Sequence, residues 1–185
     1  MQDILEKVEA FARQAHGSQR RKFVDEPYIN HPIRVMRKCA GVTDDLPILA
    51  AALLHDVLED TPVGKDEMLG FLQTVMSPAD AERTLTLVIE LTDVYTHAAF
   101  PKLNRRARKA KENERLLTTG NDSRTIKYAD IIDNAVGIAG DDFAPKLLQE
   151  MRVNLKNIPG GNETLYQEAT ATVAEGLEKI ARRFR

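Results

Sequence analysis

The stretch Ala51-Ala52-Leu53-Leu54-His55-Asp56-Val57-Leu58-Glu59-Asp60-Thr61 decides how this chain is read. Its apolar lead-in, which starts at Ala50, is strongly helix-forming, and Thr61-Pro62 stops it, since a helix seldom continues into a proline. On one continuous helix, His55 and Glu59 are four residues apart, as are Asp56 and Asp60, and Asp56 and Glu59 are three apart. All four side chains then share one strip of surface. An imidazole nitrogen with three carboxylates suits a divalent cation such as Mn²⁺, Zn²⁺ or Mg²⁺. The same reading places Glu59 and Asp60 at a helix C-terminus, where the macrodipole disfavours each anion by about 0.3–1 kcal/mol. A cation would reverse that penalty.

Working outward, the periodicity stays helical. Ile4, Leu5, Val8, Phe11, Ala12 and Ala15 recur at helical spacing and end at His16-Gly17. A loop from Ser18 to Asn30 carries Arg20, Arg21, Lys22, Pro27 and Tyr28. Asn30 is then expected to cap a helix with Pro32 in its first turn. Thr43-Asp44-Asp45 with Pro47 opens the central helix. Further helices are expected over Lys65–Thr74, Ser77–Leu91, Lys102–Leu117, Ser123–Ala139, Phe143–Leu155 and Glu163–Phe184. Alternating strand patterns are scarce and aromatic residues make up only 5%, low for a β-rich fold. The expectation is an all-α, single-domain helical bundle over residues 1–185, with a metal site between helices.

Global composition narrows the function classes. An apolar fraction of 43% and a charged fraction of 29% are those of an ordinary globular protein. A net charge of −2 supplies no field toward nucleic acid, so no nucleic-acid partner is expected. Cys39, the one cysteine, has no internal disulfide partner, which fits a reducing cytoplasm. No apolar run approaches the roughly 20 residues of a membrane span, and no membrane partner is expected.

A second segment, Thr125-Ile126-Lys127-Tyr128-Ala129-Asp130-Ile131-Ile132-Asp133-Asn134-Ala135, carries chemistry of its own. Lys127, Asp130 and Asn134 share one helical face, while Ile131, Ile132, Ala135 and Val136 cover another. Asp130 is suited to close a metal shell begun by His31, His55 and Asp56. Lys127 and Asn134, one turn to either side, are suited to a phosphate and a sugar hydroxyl. Taken alone, a Lys–Asp pair three residues apart is more often a surface ion pair.

These segments resemble the HD-domain hydrolases of the RelA/SpoT type, and most closely their small stand-alone alarmone hydrolases. AHGSQRRK (residues 15–22) is similar to the family's AHxGQxRK, and PYINHP (27–32) matches without a change. AALLHDVLEDT (51–61) is similar to AALLHDVxEDT, and IKYADIIDN (126–134) to IKLADRLxN. The resemblance implies metal ligands, usually for Mn²⁺, at His31, His55, Asp56 and Asp130. It implies a catalytic acid pair at Glu59 and Asp60, a basic pair lining a nucleotide pocket at Arg21 and Lys22, and a ribose-side amide at Asn134. The implied reaction is removal of the 3′-pyrophosphate from guanosine tetra- or pentaphosphate, giving GDP or GTP and pyrophosphate. Nothing resembling the family's synthetase domain follows, so synthesis is not expected. A divalent cation that acidifies water, an acid pair that orients it and cations that cradle a polyanion agree with that chemistry.

Departures from the pattern bear on substrate. Ser18 replaces a glycine, and Phe23-Val24-Asp25-Glu26 replaces a short turn. Asp133 stands where His or Tyr is commoner and is expected to add negative charge near the phosphates. AFPKLNRRARKAKENERL (99–116) resembles the PKLxR segment of the stand-alone members. It reads either as one wall of a pocket for a highly phosphorylated nucleotide or as a solvated basic helix; Lys102 and Arg105 are the best binding candidates in it. His16 is read as a packing or capping residue, His97 as a solvent histidine and Cys39 as a small buried apolar group. Tyr28 either stacks on a base or pins its loop.

Two rival functions stay open. One is an HD phosphohydrolase acting on another nucleotide or nucleoside phosphate. The other is a catalytically silent nucleotide sensor, against which Glu59 and Asp60 argue, since a sensor has no need of an acid pair. The last helix, with Leu165, Ala169, Val173, Leu177 and Ile180 in register, has a face for the core or for another subunit, so the oligomeric state stays open.

Overall fold

The computed structural model describes residues 1–138 and 144–183. The expected helix ends at Ala139, Phe143 and Phe184 lie outside these described residues. Every regular element among them is a helix: α1 Gln2–His16, α2 Asn30–Ala40, α3 Leu46–Leu54, α4 Val57–Asp60, α5 Lys65–Val75, α6 Pro78–Leu91, α7 Arg105–Leu116, α8 Asn121–Gly137, α9 Ala144–Asn157 and α10 Glu163–Arg183. The all-α reading is borne out. The only strand-like pairing among the described residues is an isolated antiparallel bridge between Arg20 and Pro27.

α3 is the helix around which the bundle is built. Every residue from Pro47 to Leu54 is buried, and α1, α2, α6 and α8 all pack on it. A helix apolar on all sides is stable only in such a position. Asp45 caps it by accepting from the Ile48 amide at 3.2 Å. The α8 helix packs on α2 and α10 and buries Ile126, Tyr128, Ala129, Ile131 and Ile132. Against it the chain turns tightly at Gly160-Gly161: a Cβ on Gly161 would stand 2.6 Å from the Tyr128 ring and 2.9 Å from the Thr125 amide. Only glycine allows that approach.

Three local expectations change. The central helix is not continuous through Asp60, because it stops at Leu54, and His55-Asp56 form a turn before the four residues of α4. Glu59 and Asp60 therefore sit in a short separate turn rather than at the end of a long macrodipole, and the penalty argued from that dipole does not apply. Asn30 does not cap α2; Ile29 holds the cap position, and the Asn30 amide donates to Glu26 at 3.2 Å. The basic helix begins at Arg105, not Lys102, because the Asn104 side chain caps it through the Ala107 amide at 2.9 Å.

Candidate metal centre and adjoining cleft

Three elements bring the chemistry together. His31 stands in the first turn of α2, His55 and Asp56 occupy the turn between α3 and α4, and Asp130 lies midway along α8. The His31, His55 and Asp56 ligand atoms all fall within 4.8 Å of one another. Asp56 Oδ2 is 3.1 Å from His55 Nε2 and 3.6 Å from His31 Nε2. Asp130 Oδ1 faces the same two nitrogens, at 3.2 Å from His31 and 3.9 Å from His55. The break after α3 is what aims Asp56: its backbone, at φ −97° and ψ −7°, turns the carboxylate in beside His55.

Both histidines present Nε2 to this point because their Nδ1 atoms are engaged elsewhere. His55 Nδ1 donates to the Ala52 carbonyl at 2.9 Å, and His31 Nδ1 donates to Asp133 at 2.7 Å. His55 Nε2 is buried without a well-directed hydrogen bond among the described residues, although Asp56 is close. Burial disfavours its charged form, but the Asp56 and Asp130 carboxylates and the Ala52 carbonyl outweigh this and push its pKa up to about 9. Asp56 and Asp130 stay ionised. Burial would raise both, yet the charge of His55 on Asp56, and of Lys127 on Asp130, holds each below the usual carboxylate range. Two imidazoles and two ionised carboxylates around one buried, under-bonded nitrogen form a donor set that fits a divalent cation.

Glu59 and Asp60 flank this centre. Glu59 accepts the Asp93 amide at 3.2 Å. Loss of water on its inner side, followed by the charges of Asp93 and Asp56, pushes its pKa up to about 7, the range suited to a general base. Asp60 is also raised, by desolvation and then by Asp56, with the Tyr28 hydroxyl opposing. Tyr28 pins its loop: its hydroxyl donates to Asp56 Oδ2 at 2.7 Å, and its ring packs on the buried His16 with centroids 4.6 Å apart. His97 is exposed and Cys39 is a buried free thiol.

A cleft of about 970 Å³ opens beside Asp130 between α7, α8 and α9. Arg105, Arg106, Lys109, Lys127, Asn134 and Lys146 line it. Lys127 donates to Asp130 Oδ2 at 2.8 Å, and Asn134 donates its amide to Asp130 Oδ1. Burial opposes the Lys127 charge, but Asp130 and Asp93 hold it firmly protonated. Arg105 pairs with Glu150, and Lys109 with Asp93 at 3.0 Å. The basic helix α7 thus lines one side of this cleft.

Three substrate candidates do not line this cleft. Lys102 falls in the turn ahead of α7. Lys22 is exposed, its ammonium 5.3 Å from the Phe23 ring centroid. Arg21 is drawn to Asp133 at 3.6 Å, with its side chain 9% exposed.

Sequence reasoning missed the role of Asp133. Instead of adding loose negative charge near a phosphate, it is bound by His31, Arg34 and Arg21. Burial alone would raise its pKa; the hydrogen bonds from His31 and Arg34 hold it at about 2. The signal available was its i, i+3 spacing from Asp130, together with Arg34 three residues after His31.

Comparison with known proteins agrees with this geometry. A profile described as "HD domain" matches residues 9–146. The chain is 38% identical over 135 residues to guanosine-3′,5′-bis(diphosphate) 3′-pyrophosphohydrolase MESH1 of Mus musculus, covering 71% of this chain and 66% of that protein. It is 34% identical over 133 residues to guanosine-3′,5′-bis(diphosphate) 3′-pyrophosphohydrolase of Aquifex aeolicus, covering 70% of this chain and 17% of that one. The chain thus spans just under two thirds of the mouse protein and a small part of the bacterial one. A solved structure described as a metazoan ortholog of SpoT that hydrolyzes ppGpp superposes with a TM-score of 0.75 at 26% identity, over 94% of this chain and 96% of that one. With most of its length matched by the profile and its fold shared, the chain belongs to the HD domain family.

Proposed function

We propose that this protein is a metal-dependent hydrolase that removes the 3′-pyrophosphate from guanosine tetra- or pentaphosphate, giving GDP or GTP and pyrophosphate. The observation that carries this is the convergence of His31 Nε2, His55 Nε2 and an Asp56 carboxylate oxygen beside a cation-lined cleft. The named activity of the mouse and Aquifex relatives supports the substrate. His31, His55, Asp56 and Asp130 would hold the cation, and Mn²⁺ is our choice among divalent ions. When bound, the cation supplies positive charge against phosphoryl oxygens and acidifies nearby water.

The protein's own residues do the rest. Glu59, with its pKa near neutrality, takes the proton from the attacking water, and Asp60 helps orient that water. The oxygen of water bonds to the phosphorus carried on the ribose 3′ oxygen; that phosphorus–oxygen bond breaks, and the 3′ oxygen gains a proton as pyrophosphate leaves. Lys127 keeps a half-buried positive charge at the cleft wall and has donors beyond the one on Asp130. Asn134 retains its amide oxygen for a ribose hydroxyl. Arg105, Arg106, Lys109 and Lys146 offset the polyanion. Arg21, Lys22 and Lys102 would act from outside the cleft. The single buried cysteine fits a reducing, cytoplasmic setting, and residues 1–185 are read as one catalytic unit. No helix among the described residues is long and apolar enough to cross a membrane.

One observation favours a second reading. Arg105 and Lys109 are both already paired with carboxylates, which leaves less free charge than a tetraphosphate could use and suits a less phosphorylated nucleotide. Turnover in ¹⁸O-labelled water tests the leading reading. Label in pyrophosphate and none in GDP is expected; label in GDP contradicts the bond assignment, and no turnover of guanosine tetraphosphate favours the second reading.

A further inference from the structure

The His31 ring is clamped between two carboxylates of one helix. On α8, Asp130 and Asp133 are three residues apart, so both point toward α2. Asp130 Oδ1 faces Nε2 at 3.2 Å, while Asp133 Oδ2 accepts from Nδ1 at 2.7 Å. With a carboxylate at each nitrogen and 1% of the side chain exposed, the plane of the ring is fixed, and the shorter contact favours the proton on Nδ1. Asp133 is itself fixed. Arg34, one turn after His31 on α2, donates to both of its oxygens, at 2.5 and 3.1 Å, and is braced by Glu26 at 2.6 and 3.0 Å. Arg21 closes the other side at 3.6 Å. His55 differs: among the described residues its Nδ1 meets only the neutral Ala52 carbonyl.

From this geometry we infer that Asp133 is a positioning residue of the metal centre: it fixes the tautomer and aim of His31 and strengthens Nε2 as a donor to a divalent cation. This rests on the proposed metal site. A ligating imidazole commonly gives its other N–H to a carboxylate, which raises its basicity, and loss of such a partner costs about 10–100-fold in metal affinity or activity. The arrangement also separates the two histidines by task. His31 is the rigid, carboxylate-backed ligand, and His55 the one set by its own backbone turn.

The test is Mn²⁺ binding to metal-stripped full-length protein, measured by calorimetry for wild type, His31→Ala, Asp133→Asn and Asp133→Ala, with folding followed by circular dichroism. Asp133→Asn keeps an acceptor but no charge, and Asp133→Ala keeps neither. Affinity is expected to fall about tenfold in the first and toward 100-fold in the second, with turnover recovering at saturating Mn²⁺ in both. A purely structural Asp133 would lower the melting temperature and leave Mn²⁺ affinity unmoved. If Asp133→Ala does not fold, Asp133→Asn decides alone. Wild-type affinity in Asp133→Asn, with binding lost in His31→Ala, overturns the role of Asp133 and spares the metal site. Absence of Mn²⁺ uptake by the wild type overturns both.

Discussion

The Tyr28 hydroxyl donates to Asp56 Oδ2, the same oxygen that faces the Nε2 atoms of His55 and His31. A loop residue from the Arg20–Pro27 bridge region thus holds a carboxylate of the centre in place. Its phenol is kept neutral, because burial and then the Asp56 and Asp60 charges raise its pKa far above the usual tyrosine value. Tyr28→Phe is expected to lower stability by about 1.5–3 kcal/mol, the range for a hydrogen bond to a charged group. Urea denaturation of metal-free protein checks this; an unchanged midpoint contradicts it.

Metal affinity is expected to depend on pH through His55. Its pKa of about 9 means that a proton must leave before the ring can ligate. Below that value, affinity should rise about tenfold per pH unit, with about one proton released per metal bound. The metal-free protein behaves oppositely. A raised histidine pKa stabilises the fold below the ordinary value near 6.5, and that contribution is lost as pH rises toward 9. Calorimetry in buffers of different ionisation enthalpy counts the proton; a pH-independent affinity contradicts the prediction.

Glu59→Gln should leave Mn²⁺ affinity unchanged and reduce turnover about 10²–10⁴-fold, as for a lost general base. The acid limb of the wild-type rate profile, set by a carboxyl of pKa about 7 before metal binds and lower once it does, should vanish in the variant. Because this pKa is raised in the fold from an ordinary value of 4.5, the carboxylate costs the metal-free protein stability as pH climbs from there to about 7, and the loss is complete above that. Glu59→Gln should therefore melt higher than wild type at pH 8 and alike at pH 4. Normal turnover in the variant rules out the assigned role.

Lys127→Met removes the cation that holds Asp130 ionised. The buried carboxylate keeps Asn134 and the two histidines but loses its one permanent cation, which should lower metal-free stability by about 1.5–3 kcal/mol. Added Mn²⁺ should restore part of it, since a bound cation replaces the missing charge. Thermal melts with and without Mn²⁺ measure both effects; a variant as stable as wild type without metal contradicts the pairing.

The helical fold was legible because its strongest signals are local. The apolar run before His55, the caps at Asp45 and Ser77, and the proline near the start of α2 each point to a helix without help from distant contacts. The break at His55-Asp56 was not legible. Asp56 leaves the helix to meet His31 and Tyr28, partners more than twenty residues away in sequence. The same limit applies to Asp133, whose partners Arg34 and His31 lie on another helix. The Arg21–Asp133 contact is equally hidden, since a sequence shows a charge but not the carboxylate it meets.

In the proposed function, the His31, His55, Asp56 and Asp130 cluster serves a metal-dependent 3′-pyrophosphohydrolase. Incubating metal-stripped protein with guanosine tetraphosphate, with and without Mn²⁺, and separating the products tests it most directly. GDP and pyrophosphate are expected in equal amounts, and only when Mn²⁺ is present. Equal turnover without any divalent cation, or tight Mn²⁺ binding with no turnover, would contradict it.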